Sequence, residues 1–569
     1  MDIEAAPHPQ AVSERALRVR AVRNSALWAA AGDALGWITE LSRGAAGVSH
    51  RAGVSEVTEP VNWQRIIGGR SGVRVDLPAG TYSDDTQLRL AVCRSIRGDG
   101  SFDAETFAKI EVTVWPTYAL GGGLGTKAAA TNLGKRSVNW FSNFFEVSGQ
   151  SYVKGGGNGA AMRIQPHVWN SLSTTDEMLV SVLQDSLVTH GHPHGFCGAL
   201  FHALCLSYVF VHQKLPGVED WNGFVVRFSD VPRLIAYDPQ LAAFWLSTWE
   251  AQSGASLQAA MLQMQDEAIQ DVRAVDKLLQ GSGAKAYRDI LDSIGCLTPK
   301  FRGSGFKTAL AAAALARLCA KEMPQHALIL AANELDSDTD TIATMAGALL
   351  GALSSDEPRW AIQDKEYIAH EAERLALISL GEPQDSFDYP DLGRWTAPAR
   401  QTASVGRIEG KIAIAGLGFL APLGEEYRTS DAVWQWFSLP FGQSILAKRR
   451  ANEIGELAPS QMPGPRQPAP QRTTRAVPRE REAQTSLPLD SVVSRPVEAK
   501  RGPESRQSAI AARDTLDAWT DAVIQSDFDD LTLGRLLNRC IERSSSIDSA
   551  VAFAAIVAKA KLARMRRRR

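Results

Sequence analysis

Four short stretches of this sequence carry the residue types that hold hard cations and anionic ligands. They are Gly32-Asp33-Ala34-Leu35-Gly36 with Glu40, Ser83-Asp84-Asp85-Thr86, the run from Gly155 to Arg163, and Asp338-Thr339-Asp340-Thr341. Ser83 to Thr86 immediately precedes an apolar helical pattern through Leu88, Leu90, Ala91 and Val92, and Asp338 to Thr341 opens another. A helix start needs one capping oxygen, not several. Adjacent carboxylates repel unless a cation neutralises them, and Mg²⁺ takes oxygen ligands at about 2.0–2.1 Å. Two such acid-rich helix starts make the pattern of a two-metal site, whose ions stand about 3.5–4 Å apart, orient a substrate and lower the pKa of bound water.

Asp33 and Glu40 are seven residues apart, close to two helical turns, so one helix face presents both. The plainer role for each is structural, with Asp33 capping a turn after Gly32 and Glu40 solvated at a helix end. Gly155, Gly156, Gly157, Asn158 and Gly159 supply little side chain to fill space; bare backbone N–H groups of that kind approach phosphate oxygens, although a flexible connection has the same composition. The spacing fits neither a Walker loop nor a dinucleotide fingerprint. Thr189-His190-Gly191-His192-Pro193-His194 has imidazoles that would suit zinc or copper. Gly191 and Pro193 mark a turn, however, and no cysteine completes a closed site, so zinc is discounted and His190 is the histidine best placed to orient a substrate.

The elements that must position these groups are helical. Apolar residues recur at three and four over Ser25–Thr39, Thr86–Ile96, Glu177–Leu187, Gly198–Phe210, Lys307–Ala320, Ala327–Asn333 and Thr341–Leu353. Gly347 and Gly351 mark the last as a central helix that a neighbour approaches closely. The fold class is therefore all-α over residues 21–395, after a flexible N-terminus at 1–20. Residues 396–455 change period and read as a small β-containing appendage with a short hairpin and an aromatic core of Trp434, Trp436, Phe437 and Phe441. Residues 456–508 are rich in Pro and Arg and read as a flexible linker, and 509–569 read as a small helical module.

At 569 residues the chain exceeds what one hydrophobic core supports, while 44% apolar and 22% charged residues are those of a soluble globular protein. A formal charge of −2 gives no global attraction to nucleic acid or to an anionic membrane. Nucleic-acid contact is left to the Arg566–Arg569 tail, which is equally a solvated helix end. The helical module is expected to recruit a protein partner. Cys93, Cys197, Cys205, Cys296, Cys319 and Cys540 form no C-x-x-C pair and read as reduced core thiols. The N-terminus lacks a secretory pattern, and Arg317 interrupts the longest alanine-leucine stretch short of the roughly 20 residues that span a bilayer, so no membrane partner and a cytoplasmic setting are expected.

From about residue 22 to 380 the sequence resembles the ADP-ribosylglycohydrolases, whose motifs it repeats in order: Gly32 to Gly36 with Glu40, Ser83 to Thr86, Gly157 to Arg163, Thr189-His190, and Asp338 to Ala343. The resemblance implies an orthogonal multi-helix fold with two Mg²⁺ or Mn²⁺ ions at the base of a cleft. One ion would be held by Ser83, Asp84, Asp85 and Asp340, and the other by Asp338, Asp340, Thr341 and Glu40. Gly155 to Gly159, Met162 and His190 would line the ADP-ribose channel, and Glu40 or Asp84 would handle the proton. The substrate implied is ADP-ribose on a modified acceptor. A noncatalytic ADP-ribose or nucleotide binder and a metal-dependent nucleotide phosphohydrolase are the alternatives. Ser83 stands where many relatives have threonine, and nothing beyond about 395 is recognised.

Overall fold

The computed structural model describes residues 9–69, 72–147, 149–464, 516–544 and 547–567. The chain divides into two compact units, Met1–Arg472 and Thr473–Arg569. In the first, helix α1 (Pro9–Thr39) is buried at every residue from Asn24 to Thr39, as befits a helix apolar and small-residued all round. Two strands then follow, β1 (Trp63–Ile67) and β2 (Val73–Leu77), paired antiparallel with Trp63 opposite Leu77. The site's remaining helices are α2 (Asp84–Ser95), α3 (Asp176–Thr189), α4 (Pro193–His212), α5 (Leu257–Asp276), α6 (Gly305–Leu318) and α7 (Thr339–Leu353).

The central pair is α1 against α7, and glycine sets its spacing from both sides. A Cβ on Gly32 or Gly36 would stand 2.4 Å from the Ala343 or Thr339 carbonyl oxygen, and one on Gly347 or Gly351 would meet the Trp28 or Asn24 carbonyl at 2.4 and 2.6 Å. Only backbone-to-backbone contact fits there. The Thr339 hydroxyl donates to the Gly36 carbonyl at 2.9 Å, so the C-terminal end of α1 is pinned beside the N-terminal end of α7.

Several expectations need correction. Helix α1 begins at Pro9, inside the segment expected to be flexible, because Arg15 pairs with Glu382 at 2.7 Å and Arg18 donates to the Trp169 and Ser171 carbonyls at 2.8 and 2.7 Å. The hairpin β1–β2 lies within the stretch read as wholly helical. Among the described residues helix α4, not the run near Arg317, is the one long and apolar enough by composition to cross a membrane; it is a core helix, packed between α3 and α6.

The appendage is larger and less separate than expected. It holds two three-stranded antiparallel sheets, one of β3 (Val405–Ile408), β4 (Lys411–Ile414) and β5 (Gly418–Phe419), the other of β6 (Ala421–Arg428), β7 (Ala432–Ser438) and β8 (Ser444–Arg450) in the order β8-β7-β6. Its aromatic residues do not form a core of their own. Phe437, Ile414 and Ile445 pack in one cluster with Leu88, Ile110, Trp115 and Met162 of the helical part, whereas Trp434 joins the main core. The expected linker also starts later. Leu457 is buried, and the N–H groups of Arg407 and Leu457 donate to the Gly455 and Arg407 carbonyls at 2.8 Å, which binds this segment to β3. Residues 465–508 lie outside the described residues, as do Arg568 and Arg569 of the basic tail. All six cysteines are buried thiols.

The second unit contains α8 (Leu516–Gln525), α9 (Asp530–Ser544) and α10 (Ile547–Arg567) around a small core of Trp519, Val523, Phe528, Cys540, Phe553 and Val557.

Candidate functional site

A cavity of about 1300 Å³ opens where the C-terminal end of α1 meets the N-terminal ends of α2 and α7. Glu40, Asp84, Asp85, Asp338, Asp340 and Thr341 all line it. Asp33 does not. Its carboxylate is fully buried and accepts from the N–H groups of Ser83 and Thr86 at 2.9 Å each and from the Thr86 hydroxyl at 2.6 Å. It therefore fixes the acid-bearing turn at the start of α2 from a distance of fifty residues in sequence. Ser83 is likewise behind the wall, its Oγ accepting from the Asp85 N–H at 3.2 Å as the cap of α2.

Within the cavity Asp85, Asp338 and Asp340 are met by neutral donors. The Thr341 hydroxyl donates to Asp85 Oδ1 at 3.3 Å, the Thr341 N–H donates to Asp340 Oδ1 at 2.9 Å, and Asn158 Nδ2 donates to Asp338 Oδ2 at 3.1 Å. Asp85 Oδ2 is buried without a hydrogen-bond partner among the described residues. Burial, and then the neighbouring Glu40 and Asp33, push Asp84 up to about 7. Asp85 and Asp340 are raised well above the usual carboxylate range by burial first and by surrounding acids second. Among the described residues no group of three or more His, Cys, Asp or Glu side chains closes into metal-holding geometry as it stands. The donor set is nevertheless one of oxygens, with an orphaned carboxylate oxygen and mutually repelling acids, and that is the chemistry a hard divalent cation fits.

Glu40 sits one residue beyond α1 and is held at both ends. Arg51 donates to the Ile38 and Glu40 carbonyls at 2.9 Å, and Arg65 Nη2 pairs with Glu40 Oε2 at 3.0 Å. Each arginine lies over a tryptophan, Arg51 over Trp63 and Arg65 over Trp37, and the two indoles meet edge-on at 4.9 Å.

The glycine loop forms a second wall, packed against the histidine turn that links α3 to α4. A Cβ on Gly156 would stand 2.9 Å from His192 Nδ1, and one on Gly159 would be 3.0 Å from His190 Cε1. These glycines are needed for close approach. Arg163 ties the wall together: Nε pairs with Asp185 at 2.8 Å, while Nη1 and Nη2 donate to the Gly159 carbonyl and the Thr189 hydroxyl at 2.8 and 2.9 Å. His190, whose Nδ1 lies 2.7 Å from that hydroxyl, is pushed down to about 3 by burial and then by Arg163, so its imidazole is neutral.

The structure thus brings Glu40, Asp84, Asp85, Gly155 to Gly159, Met162, His190, Asp338, Asp340 and Thr341 to one cavity, and leaves Ser83 outside it. Sequence reasoning missed Arg65, Lys127, the glycines at 121–123 and the far wall of Glu267, Phe301 and Ser304, which all line it too. For the second glycine run a signal existed. Gly121 has φ +101°, and a Cβ there would be 2.6 Å from Asp84 Oδ1.

No curated protein matches the chain. Among solved structures it is similar to one described as an ADP-ribosylglycohydrolase-related protein complex, with 20% identity and a TM-score of 0.37, over 64% of this chain and 99% of that one. The family model for ADP-ribosylglycohydrolase matches residues 14–383, a stretch that includes every acid of the cavity. The chain belongs to the ADP-ribosylglycohydrolase family and is, at that level, a hydrolase acting on ADP-ribosylated material.

Proposed function

We propose that this protein hydrolyses the bond between the anomeric carbon of the distal ribose of ADP-ribose and an acceptor. The observation that carries the reading is the convergence of five carboxylates from three helix ends on one cavity, with Asp85 Oδ2 left unpartnered. Asp84, Asp85 and Asp340 would hold one Mg²⁺ or Mn²⁺, and Asp338, Asp340, Thr341 and Glu40 a second; Ser83, committed to capping α2, is left out of the set. Bound there, the ions supply positive charge that offsets the acids and polarises coordinated oxygen atoms.

The chain's own groups do the remaining work. Glu40, anchored by Arg65 and Arg51, or Asp84, the buried acid next to it, takes the proton from the attacking water or gives one to the leaving group. Asn158 orients Asp338 through its 3.1 Å bond. Neutral His190 offers a ring nitrogen beside the glycine loop, and the lack of side chains at Gly155 to Gly157 leaves room for a pyrophosphate against the backbone.

Purified protein should release ADP-ribose from one member of a panel of arginine-, serine- and nucleobase-linked acceptors, and EDTA should stop it. Asp340→Asn and Asp85→Asn should each lower turnover by about a hundredfold or more. Full, EDTA-sensitive activity in either variant sinks the site assignment. Tight ADP-ribose binding without product, or phosphate release from nucleotides, would replace hydrolysis of the glycosyl bond by one of the other two readings.

A further inference from the structure

The same cavity holds a nucleophile and a base that the reading above leaves unused. Ser304 Oγ lies 2.7 Å from His194 Nδ1, and His194 Nε2 lies 3.1 Å from Glu267 Oε2. All three residues line the cavity. Glu267 is positioned in turn by Lys307, 3.3 Å from its Oε1, and Lys307 is held by Asp271 at 2.5 Å. The His194 ring also stacks on Phe301, with planes 13° apart.

With the imidazole neutral, as a general base must be, these contacts set the direction of each hydrogen bond. A carboxylate only accepts, so Nε2 carries the imidazole proton, Nδ1 is the acceptor, and the Ser304 hydroxyl donates to it. The result is a serine aimed at a base whose tautomer is fixed by an acid, the arrangement that activates a hydroxyl for attack. Two further facts favour chemistry over scaffolding. Ser304 occupies the cap position of α6, yet its Oγ makes no capping bond to the helix, which leaves it free for His194 at the positive end of a helix of 14 residues. The Lys307 ammonium 3.3 Å from Glu267 Oε1 favours the ionised carboxylate that serves as the orienting acid.

We propose that Ser304, His194 and Glu267 form a second, metal-independent catalytic site that cleaves carboxylic esters by acyl transfer to Ser304. Ser304 Oγ bonds to the ester carbonyl carbon as its proton passes to His194 Nδ1. The bond from that carbon to the alcohol oxygen breaks, and the departing oxygen takes the proton from His194. Water then adds to the acyl carbon and gives one proton to His194, the bond from that carbon to Ser304 Oγ breaks as Oγ takes the proton back, and the carboxylic acid leaves and ionises in solvent. Phe301, stacked on His194, and Trp249 and Met264 elsewhere in the cavity lining offer apolar surface for a short aliphatic or aromatic acyl group. The site adjoins the acids: a Cβ on Gly303 would lie 3.6 Å from Asp338 Oδ2. It contains none of them, so the proposal stands apart from the glycosyl-bond reading.

The test uses the full chain in EDTA, a fluorophosphonate probe and p-nitrophenyl acetate. One equivalent of phosphonyl group should appear on the Ser304 peptide with release of fluoride, and ester hydrolysis should persist without divalent ions. Ser304→Ala should abolish both, His194→Ala should slow labelling by about a hundredfold or more, and Glu267→Gln by about tenfold, with thermal melting used to confirm that each variant is folded. Wild-type protein that takes no label at Ser304, label on another residue alone, or ester hydrolysis that survives Ser304→Ala would each overturn the proposal.

Discussion

Buried carboxylates are treated in two opposite ways in this molecule. Away from the cavity three of them have an arginine, while Asp33 is held by N–H groups and a hydroxyl. Arg94 and Glu111, both fully buried, share bonds of 2.7 and 2.9 Å, Arg163 meets Asp185 at 2.8 Å, and Arg374 meets Glu371 at 2.8 Å. In the cavity only Glu40 has an arginine among the described residues, while Asp84, Asp85 and Asp340 are raised by burial first and by neighbouring acids second. The same chain can neutralise buried acids with its own cations, as these three arginines do. Its failure to do so at the junction of α1, α2 and α7 marks negative charge kept in reserve for something that binds.

That contrast can be broken from either side. The largest effect is expected in the paired region, where Arg94→Leu leaves Glu111 buried and uncompensated; urea unfolding should show a loss of about 3–5 kcal/mol. Acid titration sharpens the point at Glu371. Burial alone would raise its carboxyl, but Arg374 and a bond from His370 outweigh that and hold it at about 2 against an ordinary 4.5. A depressed carboxyl contributes stability that is complete above the unfolded value and is lost as pH falls toward the folded one. Between pH 4.5 and 2 the wild type should therefore lose about 3 kcal/mol more stability than Glu371→Gln does. In the unpaired region the sign reverses. With divalent ions chelated, Asp85→Asn should stabilise the fold by about 1–2 kcal/mol by removing one of the repelling charges, and Mg²⁺ should raise the melting temperature of wild type alone. A destabilised Asp85→Asn protein in EDTA would mean that the acids are satisfied as they stand.

The two regions were not equally legible. The acids stand out because helix starts need a single oxygen and Ser83 to Thr86 and Asp338 to Thr341 offer several, and the glycines of α7 announce a close neighbour. Sequence separation hid the rest. Asp33 serves N–H groups fifty residues away, and Ser304 finds its base 110 residues earlier. Arg65 lies on a five-residue strand of which only Trp63 is buried, too weak an alternation to compete with the helical text around it. The aromatic residues after 400 suggested a local core because they are close in sequence, but alternate residues of β7 face different neighbours, so Trp434 and Phe437 part company.

The hairpin and the last sheet also lean on each other: Trp434 lies against Gly68, where a Cβ would come within 2.6 Å of the indole, and Gln443 accepts from Arg94 at 2.7 Å. A gene trimmed to the stretch that the family model covers would strip the lid from Leu88, Ile110 and Trp115, take one acceptor from the buried Arg94 guanidinium and loosen the strand that steadies Glu40. Anyone shortening this enzyme for crystallisation should therefore cut beyond Met462, whose side chain still belongs to that apolar seam.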